Sequence, residues 1–90
     1  MSFTTVSELY QHFDQLVAED ADADLLFSSS YLRGFIGLAA SEFGDETQAL
    51  SQALADNITA KLYDARSELT PDDRQLVNAY WQSLTKAFTA

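Results

Sequence analysis

His12 is the one histidine of the chain, and Glu8 stands four residues before it. On a helix that spacing brings a carboxylate and an imidazole to one face, the minimum for acid–base work. Catalysis would also need a nucleophile and an oxyanion site, and no Ser or Thr is set beside His12 by spacing. Asp20-x-Asp22-x-Asp24 imitates the opening of a calcium loop. An EF-hand then needs Gly at its sixth position and Glu at its twelfth, where this chain has Leu25 and Tyr31. A solvated acidic turn is the expectation, with no metal site. Arg33 shares the stretch from Tyr31 to Phe43 with only one other charge, Glu42. It reads either as the anchor of a contact patch, a role Arg fills often, or as one half of an ion pair to an acidic neighbouring helix.

Small residues surround Arg33 in a regular order. Ser30, Gly34, Gly37, Ser41 and Gly44 recur at steps of 4, 3, 4 and 3, which places them on one stripe of a helix. An interior helix Gly costs roughly 1 kcal/mol against Ala, so Gly34 and Gly37 call for a compensating contact. A close neighbour along the stripe would supply it: another helix of the chain, a second subunit or a partner. The candidate partner contacts are therefore Ser30, Tyr31, Arg33, Gly34, Gly37 and Ser41. No catalytic, cofactor-binding or metal-binding residue is assigned.

The elements that must position these residues are helical. Val6, Leu9, Tyr10, Phe13, Leu16 and Val17 keep helical spacing and predict a helix over residues 5–19. The alternating Asp and Ala after it read as a link, and Leu25 to Phe27 as a short helical turn or a segment that tucks into the core. A second helix over 29–43, capped by Ser28, Ser29 or Ser30, ends before Gly44, a good residue just past a C-terminus. Asp45 reads as the cap of a third helix over 46–66, where Leu50, Leu54, Ile58 and Leu62 step by four. Thr70-Pro71-Asp72-Asp73 is a cap, a first-turn proline and two first-turn acids, and starts a fourth helix over 71–88. Its face carries Leu76, Val77, Tyr80, Trp81, Leu84 and Phe88, with Tyr80 and Trp81 expected in the core. Four amphipathic helices on short links bury their stripes most simply as an antiparallel four-helix bundle, an all-α fold with residues 1–90 as a single helical domain.

Composition narrows the function. With 14 acids against 5 bases the net charge is −9. Residues 1–32 carry Glu8, Asp14, Glu19, Asp20, Asp22 and Asp24 and no Lys or Arg at all. Nucleic acids and anionic membrane surfaces need basic patches, so neither is an expected partner. A protein with a basic patch is compatible. The chain lacks cysteine, which removes disulfides, thiolate metal sites and thiol catalysis and suits a reducing compartment. No apolar run approaches the ~20 residues of a membrane span. The expected location is the cytoplasm.

Two blocks carry a resemblance. Leu26-Phe27-Ser28-Ser29-Ser30-Tyr31-Leu32-Arg33-Gly34, and Leu69-Thr70-Pro71-Asp72-Asp73-Arg74-Gln75-Leu76-Val77 followed by Trp81, resemble the YfcL family of small acidic bacterial proteins. The family pattern has a Gly just before the Tyr and a His after the Arg-Gly. Here Ser30 and Phe35 stand there, so a role for such a His does not transfer. The resemblance implies a functionally uncharacterised family with no assigned activity, cofactor or catalytic residue. It points to Tyr31, Arg33 and Gly34, where the spacing already led. The expected function is a non-catalytic protein-interaction module, an adaptor or small regulator, using the second-helix surface around Arg33. The alternatives are a structural homodimer through the small-residue stripe and, behind it, an enzyme with a site the sequence does not signal.

Overall fold

The computed structural model describes residues 4–89. Four α-helices follow one another: α1 (Val6–Ala18), α2 (Ala23–Phe43), α3 (Gln52–Asp64) and α4 (Pro71–Thr89), with a 3₁₀ turn (Arg66–Glu68) between the last two. They form a helical bundle with α2 at its centre, packed on α1, α3 and α4, while α3 also packs on α4. Each helix contributes a stripe to one core: Leu9 and Phe13, Leu32 and Ile36, Leu54 and Ile58, Trp81 and Leu84. Fully burying one such aliphatic side chain is worth about 1.5–3 kcal/mol, which is why the apolar period sets the fold. Trp81 is buried, donates its indole N–H to Thr59 Oγ1 at 3.0 Å and meets Phe88 edge-on at 5.2 Å. Tyr80 is only half-buried, its ring 6.5 Å from Phe13 across the bundle.

Two helix starts differ from the sequence-based expectation. The second helix begins at Ala23, not at residue 29: Ala23, Asp24 and the turn at Leu25–Phe27 are part of it, and Asp20 and Ala21 close α1. Asp22 is its N-cap: Oδ1 accepts from the Leu25 N–H at 3.0 Å, and Asp24 sits in the first turn where the helix dipole favours an anion. None of the three serines caps. Ser28 and Ser29 are buried, and the Ser29 hydroxyl donates to the Leu26 carbonyl, as mid-helix serines do.

The third helix begins at Gln52, not at residue 46, with Ser51 as its cap accepting from the Leu54 N–H at 3.2 Å. Asp45 instead accepts from the Thr47 backbone N–H and hydroxyl in a local turn. The residues between are used elsewhere. Val6 N–H donates to the Gln48 carbonyl at 3.2 Å, Ser7 N–H to the Glu46 carbonyl at 2.7 Å, and Leu50 N–H to the Thr4 carbonyl at 2.9 Å. The first turn of a helix has N–H groups with no partner inside the helix, and this strap satisfies two of them for α1. The strap leaves α2 at Gly44, whose φ of +153° and ψ of −141° lie in a region open to glycine alone.

Candidate functional site

The chemistry-bearing residues are dispersed. Glu8 closes the capping box of α1: its Oε1 accepts from Thr4 N–H at 2.7 Å, the Thr4 hydroxyl at 2.8 Å and Thr5 N–H at 3.2 Å, while Thr5 Oγ1 accepts from Glu8 N–H. These hydrogen bonds, those from Thr4 first, hold the Glu8 carboxyl below its usual range. His12 is half-buried one turn on, its ring 6.1 Å from that of Phe13. Of the Asp cluster, Asp22 caps α2, whereas Asp20 has a left-handed φ of 55° just past α1. Among the described residues no three His, Asp or Glu side chains gather as a metal site.

Arg33 faces α1. Its Nη1 donates to Asp14 Oδ1 at 2.6 Å, and its guanidinium lies 4.7 Å from the centre of the Tyr10 ring. Tyr10 and Asp14 are one turn apart on α1, and Arg33 and Gly37 one turn apart on α2, so the four make a seam between the helices. The seam ends at Gly37, where a Cβ would stand 3.2 Å from Tyr10 Oη. Burial raises the Tyr10 hydroxyl above its ordinary pKa, with Arg33 opposing that rise. Of the two readings open for Arg33, the ion pair to the acidic first helix is the one its contacts make. The guanidinium keeps substantial exposure, 42% of its side chain.

Gly34 is placed differently. It is exposed, and a Cβ added to it would meet no atom within 4 Å. The stripe is thus two surfaces: Gly37 borders α1, and Gly34 faces outward with Ser30 and Ser41, both exposed. Ser41 spends its hydroxyl proton on the Leu38 carbonyl at 2.8 Å. Beside Gly34 runs an aromatic row one turn apart, Phe27, Tyr31 and Phe35, with ring centres 6.2 and 5.0 Å from one another. Leu38 follows at 61% exposure. Tyr31, Gly34, Phe35 and Leu38, with Glu68 from the 3₁₀ turn, enclose a surface depression of about 230 Å³. Partial burial raises the Tyr31 hydroxyl, and the Glu68 carboxylate adds to it. An apolar hollow with an acidic edge can seat an apolar side chain that has a base beside it.

Spacing finds Ser30, Tyr31, Gly34 and Ser41 but does not single out Leu38. Its exposure could have been read from register: Leu38 stands one turn after Gly34 and seven residues after Tyr31, with Ile36 and Ala39 taking the core positions.

Comparison with known proteins gives one consistent result. The family model described as "YfcL protein" matches residues 4–86. A curated protein of Escherichia coli (strain K12), named "Uncharacterized protein YfcL", is 34% identical over 70 residues, 76% of each chain. No solved structure gives a significant match. Among the described residues no helix is long and apolar enough to cross a membrane.

Proposed function

The chain belongs to the YfcL family, and on that premise we propose that it is a non-catalytic protein-interaction module, an adaptor or small regulator, that receives a partner on the outward face of α2. The observation that carries the reading is Gly34. A helix-interior glycine costs about 1 kcal/mol against alanine, and no packing inside the fold requires it there, since nothing approaches its Cβ position. An exposed Leu38, an aromatic row and an open hollow lie beside it. A contact made outside the fold accounts for both the absent side chain and the apolar rim.

The partner contacts are Ser30, Tyr31, Gly34 and Ser41, with Arg33 and Gly37 at the border where α1 is held in place. The chemistry that fits is an apolar anchor flanked by basic residues, opposite Glu68 and a chain of net charge −9. A reducing cytoplasm suits a chain without cysteine.

Leu38→Asp tests the reading, because it changes the hollow while leaving the core untouched. Tagged parent and variant are used to capture proteins from the native cell. A partner held by the parent and lost by the variant supports the module. Sizing of both separates the second reading: a parent dimer that Leu38→Asp converts to monomer makes this face a homodimer seam. If the captured set and the sizing profile are both unchanged by Leu38→Asp, the face is not an interface and the proposal fails.

A further inference from the structure

Five bases serve this chain, and their pairing is uneven. Arg33 is paired with Asp14 and Lys61 with Glu42, at 2.6 and 2.7 Å. Arg66 and Arg74 make no ion pair with any described residue. They are nonetheless held in place by backbone carbonyls: Arg66 Nη1 donates to Tyr63 O at 2.7 Å, and Arg74 donates from Nε to Arg66 O at 2.9 Å and from Nη2 to Leu69 O at 3.4 Å. A guanidinium has five N–H donors, so most of those on both residues are left for another acceptor. Arg66 also lies over Tyr63, its guanidinium carbon 3.9 Å from the ring centre, and Tyr63 is 63% exposed.

Both arginines open into one groove of about 330 Å³ between α3 and α4, whose floor adds Thr59, Asn78 and Trp81. A neighbouring depression of about 370 Å³ shares Arg74 and Asn78. Neither is lined by an Asp or Glu, in a chain where acids outnumber bases 14 to 5. Two unneutralised guanidinium groups, fixed beforehand on the wall of one acid-free groove that also holds Leu62, Tyr63 and Trp81, are an arrangement that binds an oxyanion carried on an apolar group. We infer that this groove binds a small phosphate-bearing ligand, with Arg66 and Arg74 on the phosphate and Tyr63 beside the group that carries it.

Two guanidinium groups favour a tetrahedral dianion over a single carboxylate, since its three terminal oxygens can be shared between them. The charge of the rest of the chain repels a polyanionic strand, which confines the ligand to a compact molecule. The groove shares no residue with the hollow on α2 and is independent of the docking reading.

Trp81, the one tryptophan, lines the groove and reports on it. Its fluorescence is followed during titration with inorganic phosphate and, separately, phenyl phosphate, with ionic strength held constant by NaCl. A saturable change is expected, weakened at least tenfold in Arg66→Gln/Arg74→Gln and unaltered in Lys86→Gln, which removes one positive charge outside both grooves. Phenyl phosphate binding more tightly than phosphate identifies an aromatic ester as the ligand class, and equal affinities identify the phosphate group alone. Should the double Gln variant fail to fold, Arg66→Lys and Arg74→Lys keep the charge, lose the planar fork and should still bind several-fold more weakly. No saturable change, or equal weakening by Lys86→Gln, overturns the site.

Discussion

Gly34 and Gly37 lie one turn apart on α2 and differ in what stands above them. Alanine at Gly34 meets open space, so Gly34→Ala should raise stability by about 0.5–1 kcal/mol, the gain in helix propensity alone. Alanine at Gly37 gains the same propensity but sets a methyl 3.2 Å from Tyr10 Oη, beneath the ring that carries the Arg33 guanidinium. The tyrosine must shift, and the net gain should be smaller or reversed. Urea midpoints of the two variants give the order; a larger gain at Gly37 would remove the seam between Tyr10 and α2. Trp81→Ala supplies the contrasting case. It deletes a buried ring that also hydrogen-bonds Thr59, and should cost about 3–5 kcal/mol, read by circular dichroism melts. The sequence places these residues well by angle, since a step of 3 or 4 specifies a helix face. It leaves open what covers that face, because the covering group at Gly37 comes from Tyr10, twenty-seven residues away.

At the scale of elements, the ends were less legible than the middles. The apolar period marks where a helix packs, whereas its ends are decided by which N–H and C=O groups find partners. The end of α1 shows this. Ala21 N–H donates to Leu16 O at 3.0 Å and Asp20 N–H to Val17 O at 3.1 Å, a Schellman motif with Asp20 in its left-handed position. Asp20→Gly should therefore stabilise by about 1 kcal/mol, and Asp20→Asn by less, because glycine meets no Cβ penalty there. If Asn matches Gly, the gain comes from the lost charge and the motif is not strained. The cap of α1 and the turn at Asp45 predict a pH effect. Hydrogen bonds from Thr4 hold Glu8 below its ordinary 4.5, and those from Thr47 hold Asp45 below 3.8. A carboxyl whose folded pKa is depressed contributes stability above its unfolded value and loses it as pH falls through the folded one. Glu8→Gln/Asp45→Asn should thus melt below the parent at pH 7, and the gap should close as pH falls beneath those values. A gap independent of pH would mean that the substitutions act through shape and not charge.

For the whole molecule the decisive quantity is the imbalance of 14 acids and 5 bases. Fold class was legible despite it, because each of the four stripes, from Leu9 and Phe13 to Trp81 and Leu84, recurs with helical period and no large apolar residues alternate by two in a strand-length run. The arginine groove was not, since Arg66 and Arg74 meet only after the 3₁₀ turn folds α4 back on α3. Added salt has two opposing effects on such a chain. It weakens the exposed Arg33–Asp14 and Lys61–Glu42 pairs, each worth about 0–1 kcal/mol. It also screens repulsion among the unpaired acids, densest from Glu19 to Asp24, within a Debye length of ~10 Å at 0.1 M. The acids left over far outnumber the pairs, so relief of repulsion outweighs the loss of attraction, and the melting temperature should rise modestly from low salt to ~0.2 M NaCl. Calcium at matched ionic strength should add nothing, because Asp22 is engaged with Leu25 N–H and the described acids do not gather as a metal site. A fall in melting temperature with NaCl would mean that the two ion pairs, and the α1–α2 seam that one of them closes, outweigh the repulsion. A calcium-specific rise would make Asp20, Asp22 and Asp24 a cation site.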